Sequence, residues 1–214
     1  MSPLRDLLIA PRLAEQVPSR PVEPPALTAA APSLGVLAPA RELPAVAIAA
    51  GLALARRRST ALVCVAAPAA PAAAPLRLPA RAAAARLATS LAARGLLVEA
   101  RGRLALVRLP DDAAEASTAA TRAFAAAGAL PTVLAVAQRT EDVDVLLADR
   151  DAILVVLGSG TEPTLAGLAL AGARRITTSA AALTLALDPV QRALAVAGCW
   201  SPPAIRHAID GLLT

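Results

Sequence analysis

The residues best suited to bind a ligand are Gly158, Ser159, Gly160 and Thr161, which follow an apolar run and precede a helix-like segment. Open parallel sheets bind ligands at such strand-to-helix turns, and a helix N-terminus favours anions. The same residues also fit a tight turn in which Ser159 or Thr161 caps the helix. Because one short glycine pair is a weak signal, the tight turn is the simpler interpretation and a cofactor or anion site is the alternative.

The other reactive side chains do not form a recognisable catalytic set. His207 and Asp210 are spaced like an acid–base pair, but no nucleophile is obvious beside them. Asp149 and Asp151 have the chemistry of metal ligands, although paired aspartates more often solvate a turn. One histidine and two cysteines cannot supply a zinc site. We therefore predict no catalytic residue, no metal and no cofactor, and the balance leans against an enzyme.

The basic residues narrow the chemistry further. All 21 are arginine, since the sequence contains no lysine, and with 16 acidic residues they give a net charge of +5. A lysine Schiff base or a phosphate-binding lysine is thereby excluded. The arginines are scattered apart from Arg56–Arg58, and aromatic residues for base stacking are almost absent. No specific nucleic-acid binding is expected.

The high hydrophobic content, 57% of the residues, comes largely from alanine. The longest apolar run, Pro44–Ala55, is about a dozen residues, fewer than the roughly 20 that cross a bilayer. It predicts a buried or surface helix that ends in arginines. No apolar leader core is evident near the first residues. We expect a cytoplasmic protein whose membrane association is peripheral at most.

The chain predicts two regions, a proline-rich arm or linker over residues 1–43 and an α/β domain over residues 44–214. In the second region, apolar runs alternate with alanine-rich helical segments, which indicates βαβ units. The fold class is therefore α/β, with a mostly parallel, Rossmann-like sheet covered by helices on both faces. The predicted strands are Thr60–Ala66, Leu96–Glu99, Arg103–Leu109, Thr132–Ala137 and Ala152–Leu157, with Leu183–Leu187 left open between strand and helix. The predicted helices are Ala45–Arg58, Pro79–Arg94, Asp111–Ala127, Glu141–Ala148 and Thr161–Ala171, with two more starting at Asp188-Pro189 and Ser201-Pro202.

The segment Asp142–Leu170 resembles part of the MinD/ParA-type P-loop ATPases, in which a helix ends before an aspartate, a hydrophobic strand follows, and a proline-containing turn opens the next helix. Ala148–Asp151, Ala152–Leu157 and Thr161–Thr164 fill these places. Pilus-assembly and septum-site localisation proteins of actinobacteria belong to this superfamily. The resemblance implies a P-loop-NTPase-like topology and a dimer.

The sequence departs from this family where the family binds nucleotide. The loop expected to hold phosphate, Ala66–Pro75, has no Gly, Lys, Ser or Thr and contains three prolines, which lack an N–H donor. The strand Thr132–Ala137 has no acid for Mg²⁺. These departures predict a pseudo-ATPase that acts in protein–protein interaction, localising a secretion, pilus or division apparatus. Its partner would be a protein such as a secretion or pilus ATPase, or a second copy of the chain.

Two alternatives stay open. One is a small-ligand-binding protein or enzyme with its site near Gly158–Thr161, which requires a pocket there. The other is an arginine-mediated binder of nucleic acid or of an anionic membrane, which requires the arginines to converge on one face.

Overall fold

The computed structural model describes residues 32–58, 60–66, 78–137, 146–147, 150–157 and 180–212. The chain divides into two units after Ala30, and all of these residues belong to the second unit, Ala31–Thr214. Within them, no helix is both long enough and apolar enough to cross a membrane.

Seven strands form one sheet in the order β3-β4-β2-β5-β1-β6-β7. All neighbouring strands are parallel except β3 and β4, which form an antiparallel pair. The sheet confirms the predicted α/β class with a mostly parallel, Rossmann-like arrangement. The strands are β1 Ser33–Ala38, β2 Ala61–Ala66, β3 Leu97–Arg101, β4 Leu104–Arg108, β5 Thr132–Ala137, β6 Ala152–Leu157 and β7 Ala180–Thr184.

Helices cover both faces of the sheet. One face packs against the first helix and the last, with the fourth helix lying on the first, and the other face packs against the second and third. Each face has its own apolar cluster, because strand side chains alternate between faces. The helices are α1 Leu43–Arg58, α2 Ala82–Ala92, α3 Ala113–Ala127, α4 Pro189–Val196 and α5 Pro203–Leu212.

The central strand β1 lies inside the segment predicted to be a proline-rich arm. Its six residues fit between Pro32 and Pro39, so neither proline interrupts the strand itself. Five of the six residues are buried, and β1 pairs with both β5 and β6. The folded unit therefore begins upstream of residue 44. Residues 1–31 lie outside the described part of the chain, and an arm there stays a prediction.

Helix boundaries largely follow the capping chemistry in the sequence. The Asp112 carboxylate accepts a hydrogen bond from the backbone N–H of Glu115 at 2.9 Å, and Asp188 forms a reciprocal capping box with Gln191. Helix α2 begins at Ala82 rather than at Pro79. The predicted helix Thr161–Ala171 lies outside the described residues.

Two further segments refine the predicted elements. Of the predicted helix Glu141–Ala148, only Leu146 and Leu147 are described, and both are helical. The segment left open at Leu183–Leu187 holds the end of strand β7, which stops at Thr184.

Helix α1 is covered on nearly all sides, which explains why its sequence is apolar around the whole circumference. It packs on strands β2 and β5 and is overlaid by α4 and α5. The approach to the sheet is close at Gly51. A Cβ built there would overlap Cγ2 of Val63 and lie 3.2 Å from Cδ2 of Leu104. Glycine at this position is therefore a packing requirement.

We predict that Gly51→Ala lowers the free energy of unfolding by about 2 kcal/mol, because the added methyl overpacks the interface with β2. In an exposed helix the same change would stabilise by up to about 1 kcal/mol. Gly211→Ala on α5 is the matched control, since a Cβ there meets nothing within 4 Å. Urea denaturation of the variants measures both effects. Equal stability of Gly51→Ala and the original chain would contradict the close approach.

Candidate functional site

A topological switch point of the sheet lies between β1 and β6. The connection from β1 leads through α1 to β2 on one side, whereas β6 is followed by β7 on the other side. In open α/β sheets, ligands bind in the crevice at the carboxyl ends of such a strand pair. The residues that follow β1 and β6 are therefore the candidate site.

The turn after β1 runs from Pro39 to Glu42 and leads directly into α1. The N–H groups of Glu42 and Leu43 both donate to the carbonyl oxygen of Pro39, each at 2.9 Å. The next residue, Pro44, has no N–H. Anions bind at helix N-termini through free N–H groups. Positions 42 to 44, at the start of α1, therefore have no free N–H group for an anion.

A carboxylate and a guanidinium occupy the mouth of this turn. Arg192 of α4 donates from Nη2 to Oε1 of Glu42 at 2.6 Å and from Nε to Oε2 at 3.0 Å. A third hydrogen bond joins Nη2 to the carbonyl oxygen of Leu187 at 3.1 Å. Both side chains are mostly buried, with 14% of Glu42 and 23% of Arg192 exposed. The geometry is the fork-to-fork arrangement of the strongest charged pairs.

The electrostatics of this position disfavour a bound phosphate. Glu42 brings a negative charge to the helix end that would otherwise attract anions, and it neutralises Arg192. The hydrogen bond with Glu42 is also the main reason why the pKa of Arg192 is raised above its ordinary value. The paired groups can hold α4 against the start of α1, which is a structural role.

Most of the predicted site segments lie outside the described residues. This applies to Gly158, Ser159, Gly160 and Thr161, which follow β6 in the sequence, and to residues 67–75 of the loop predicted to replace a phosphate loop. The strand order of the sheet nevertheless changes where phosphate binding should be looked for. Strand β2, which precedes that loop, is second along the chain and third in the sheet, whereas β1 is the strand at the switch point.

Asp151 and Arg150 lie at the opposite, amino-terminal edge of the sheet. The Asp151 carboxylate accepts a hydrogen bond from the N–H of Ser33 at 2.8 Å. Arg150 donates to Oγ of Ser33 at 2.8 Å and stacks over the ring of Phe124, 4.4 Å from its centroid. Asp151 therefore secures the start of β1. Asp149 lies outside the described residues.

His207 is an exposed residue of α5. Its Nδ1 lies 3.2 Å from the carbonyl oxygen of Pro203, one turn earlier in the same helix. This helix packs on the domain through the buried side chains of Ile205 and Ile209, and Trp200 packs against the same apolar cluster. Within the described residues, no group of three or more His, Cys, Asp or Glu side chains could hold a metal ion.

Comparisons of the chain with models of protein families, with curated proteins and with solved structures find no match. Function is therefore inferred from the fold and from the geometry of the switch point.

Sequence reasoning missed Glu42 and Arg192. They are 150 positions apart, and no local pattern links them. One signal was present, because Glu42 is the only charged residue between Arg41 and Arg56 and stands directly before the apolar helix. A lone acid in that position indicates a helix start, where carboxylates are favourable, but it does not identify the partner.

We predict that Glu42→Gln lowers the free energy of unfolding by about 2 kcal/mol, because it leaves a mostly buried guanidinium without its counter-charge. In a double-mutant cycle with Arg192→Met, the double variant should lose less than the sum of the single losses. Glu115→Gln, an exposed position on α3, is the control and should change stability by less than about 0.5 kcal/mol. Additive losses in the cycle would show that the pair is not coupled.

The two cysteines are expected to differ sharply in reactivity. Burial raises the pKa of the Cys64 thiol from 9.0 to about 12, and the nearby charge of Arg150 offsets only part of this. Cys199 is exposed. Because thiolate is the reactive form, a disulfide reagent applied to the native chain below pH 9.0 should modify Cys199 rapidly and Cys64 only after unfolding.

The variant Cys199→Ser should abolish the rapid phase of this reaction. The reaction is followed by the absorbance of the thiolate that the disulfide reagent releases. Rapid modification of two thiols in the native chain would contradict the buried position of Cys64. Above pH 9.0 the unfolded chain loses the thiol proton that the folded chain keeps until about pH 12. Cys64 therefore makes stability fall as pH rises through this window.

Proposed function

We propose that this protein is a non-catalytic, Rossmann-like α/β protein that acts by binding another protein. The observation that carries the proposal is the Glu42–Arg192 pair at the switch point, together with the backbone donors already used by Pro39. A protein that bound nucleotide at this turn would need free N–H groups and a positive charge facing the phosphate. Here the N–H groups of Glu42 and Leu43 are bonded to Pro39 and the guanidinium of Arg192 is bonded to Glu42, so these groups are not available to a phosphate.

The resemblance of Asp142–Leu170 to the MinD/ParA-type ATPases is compatible with this proposal. A mostly parallel sheet with helices on both faces suits such a protein. On this proposal the chain is a pseudo-ATPase that localises a secretion, pilus or division apparatus. It works in the cytoplasm and recognises a protein such as a secretion or pilus ATPase, or a second copy of itself.

Three of the described arginines are used inside the fold and not on a nucleic-acid-binding surface. Arg101 is 6% exposed, Arg192 is paired with Glu42, and Arg150 stacks on Phe124. Residues used in this way do not contribute to a continuous basic surface, which nucleic acids require.

The decisive experiment is calorimetric titration of the full chain with ATP, ADP and GTP in the presence of Mg²⁺. We expect no binding heat, because the phosphates meet a carboxylate at the start of α1 and the N–H groups of Glu42 and Leu43 are already bonded to Pro39. The Glu42→Gln variant should be titrated in parallel as a control for the charge of that carboxylate.

Micromolar binding by the original chain would overturn the non-catalytic proposal and direct attention to Gly158–Thr161. Binding by Glu42→Gln alone would identify the carboxylate as the group that excludes phosphate. Sedimentation velocity over a wide concentration range then decides whether a second copy of the chain is a partner.

A further inference from the structure

An open pocket of about 470 Å³ lies at the carboxyl end of β4, away from the switch point. Its inner wall is made by Leu96, Leu109 and Ala119, which belong to the apolar cluster beneath α2 and α3. Pockets of a few hundred Å³ with apolar walls are the usual size for anchoring a ligand or a partner side chain. We call this feature the β4 pocket.

The rim of the β4 pocket exposes an aliphatic side chain. Leu97, the first residue of β3, lines the pocket and is 71% exposed. Among the described residues it is the most exposed large hydrophobic side chain. It lies directly across from Arg108 in the β3–β4 register. Because Leu97 lies beside an apolar pocket, a bound partner would bury its side chain together with the pocket wall, which is favourable.

The charge of the rim identifies the chemistry of the occupant. Arg108 and Arg122 line the pocket and are exposed, against a single acid, Asp111. Within the described residues, neither guanidinium forms an ion pair or hydrogen bond, in contrast to Arg101 and Arg192. Two unpaired guanidinium groups beside an apolar pocket complement an acidic group that is attached to an aliphatic one.

The openness of the pocket favours a peptide over a small metabolite. Small-molecule sites usually bury most of the ligand surface, whereas here both arginines and Leu97 face solvent. Protein interfaces combine an apolar centre with a charged, solvent-exposed rim. Neither of the two aromatic residues, Phe124 and Trp200, lines the pocket, so it has no platform for stacking bases.

We propose that the β4 pocket is the docking site for an acidic, leucine-containing peptide segment of a partner protein. A leucine-type side chain of the partner fills the pocket beside Leu97, and partner carboxylates pair with Arg108 and Arg122. This inference rests on the proposed protein-binding function and supplies the chemistry of the partner.

The test is an NMR titration of the full, ¹⁵N-labelled chain with three synthetic peptides. The first alternates pairs of leucine and glutamate, the second has lysine in place of glutamate, and the third has serine in place of leucine. We expect only the leucine–glutamate peptide to shift the amide signals of Leu97, Arg108 and Ala119. Inorganic polyphosphate is titrated as a fourth probe, to test for a general anion site.

Charge-reversal variants provide the matched controls. Arg108→Glu and Arg122→Glu should each weaken binding about tenfold, the effect of losing one charge-assisted contact. Arg86→Glu makes the same change of charge at an exposed position of α2 that is not part of the pocket, and it should change binding by less than about twofold. Leu97→Ser should weaken binding without a loss of stability, since Leu97 is exposed.

Equal shifts with the lysine peptide would overturn the proposed charge recognition. Shifts with the serine peptide or polyphosphate alone would reassign the pocket as an anion site, and the absence of shifts with every probe would remove it as a docking site. Failure of this inference leaves the nucleotide titration unaffected. Conversely, micromolar nucleotide binding would overturn the proposed function even if the peptide occupied the β4 pocket.

Discussion

The close contact between α1 and the sheet is the constraint on which the rest of the structure depends. Helix α1 is overlaid by other helices and lies on the central strands, so it has almost no solvent-facing side. Large side chains cannot fit between backbones that approach so closely, and the alanines and Gly51 meet this requirement. Close packing therefore accounts for the small, apolar side chains of α1, which resemble a membrane segment in hydropathy.

The position of α1 also determines what the switch point can do. Because the helix starts immediately after β1, Glu42 stands at the mouth of the crevice where a Rossmann-like sheet would bind a ligand. The pairing with Arg192 then joins the start of α1 to α4, whose own start is fixed by the Asp188 capping box. One bidentate contact thus organises the carboxyl edge of the sheet. The pairing neutralises the charge of Arg192, while the carbonyl oxygen of Pro39 separately accepts the N–H groups of Glu42 and Leu43. Both contacts disfavour phosphate binding at this turn.

The sequence predicts the local elements well and the long-range contacts poorly. The apolar runs at β2, β5 and β6, and the helix starts at Asp112 and Asp188, follow from periodicity and capping, which act within a few residues. Strand β1 escaped prediction because prolines stand on both sides of it, and local rules favour an irregular arm there. The Glu42–Arg192 pair and the β4 pocket arise only when distant segments meet, so no local pattern contains them.

Because the sequence contains no lysine, arginine supplies both the buried and the exposed positive charges. A planar guanidinium can be buried when its fork is satisfied, as at Arg101, which pairs with Glu99 and donates to the carbonyl oxygen of Val196 at the end of α4. Such arginines hold secondary-structure elements together. Arg108 and Arg122 have no comparable partner within the described residues, although they flank an apolar pocket. Arg108 and Arg122 are exposed to solvent, and a carboxylate supplied by another molecule would give them the kind of partner that Glu42 gives Arg192.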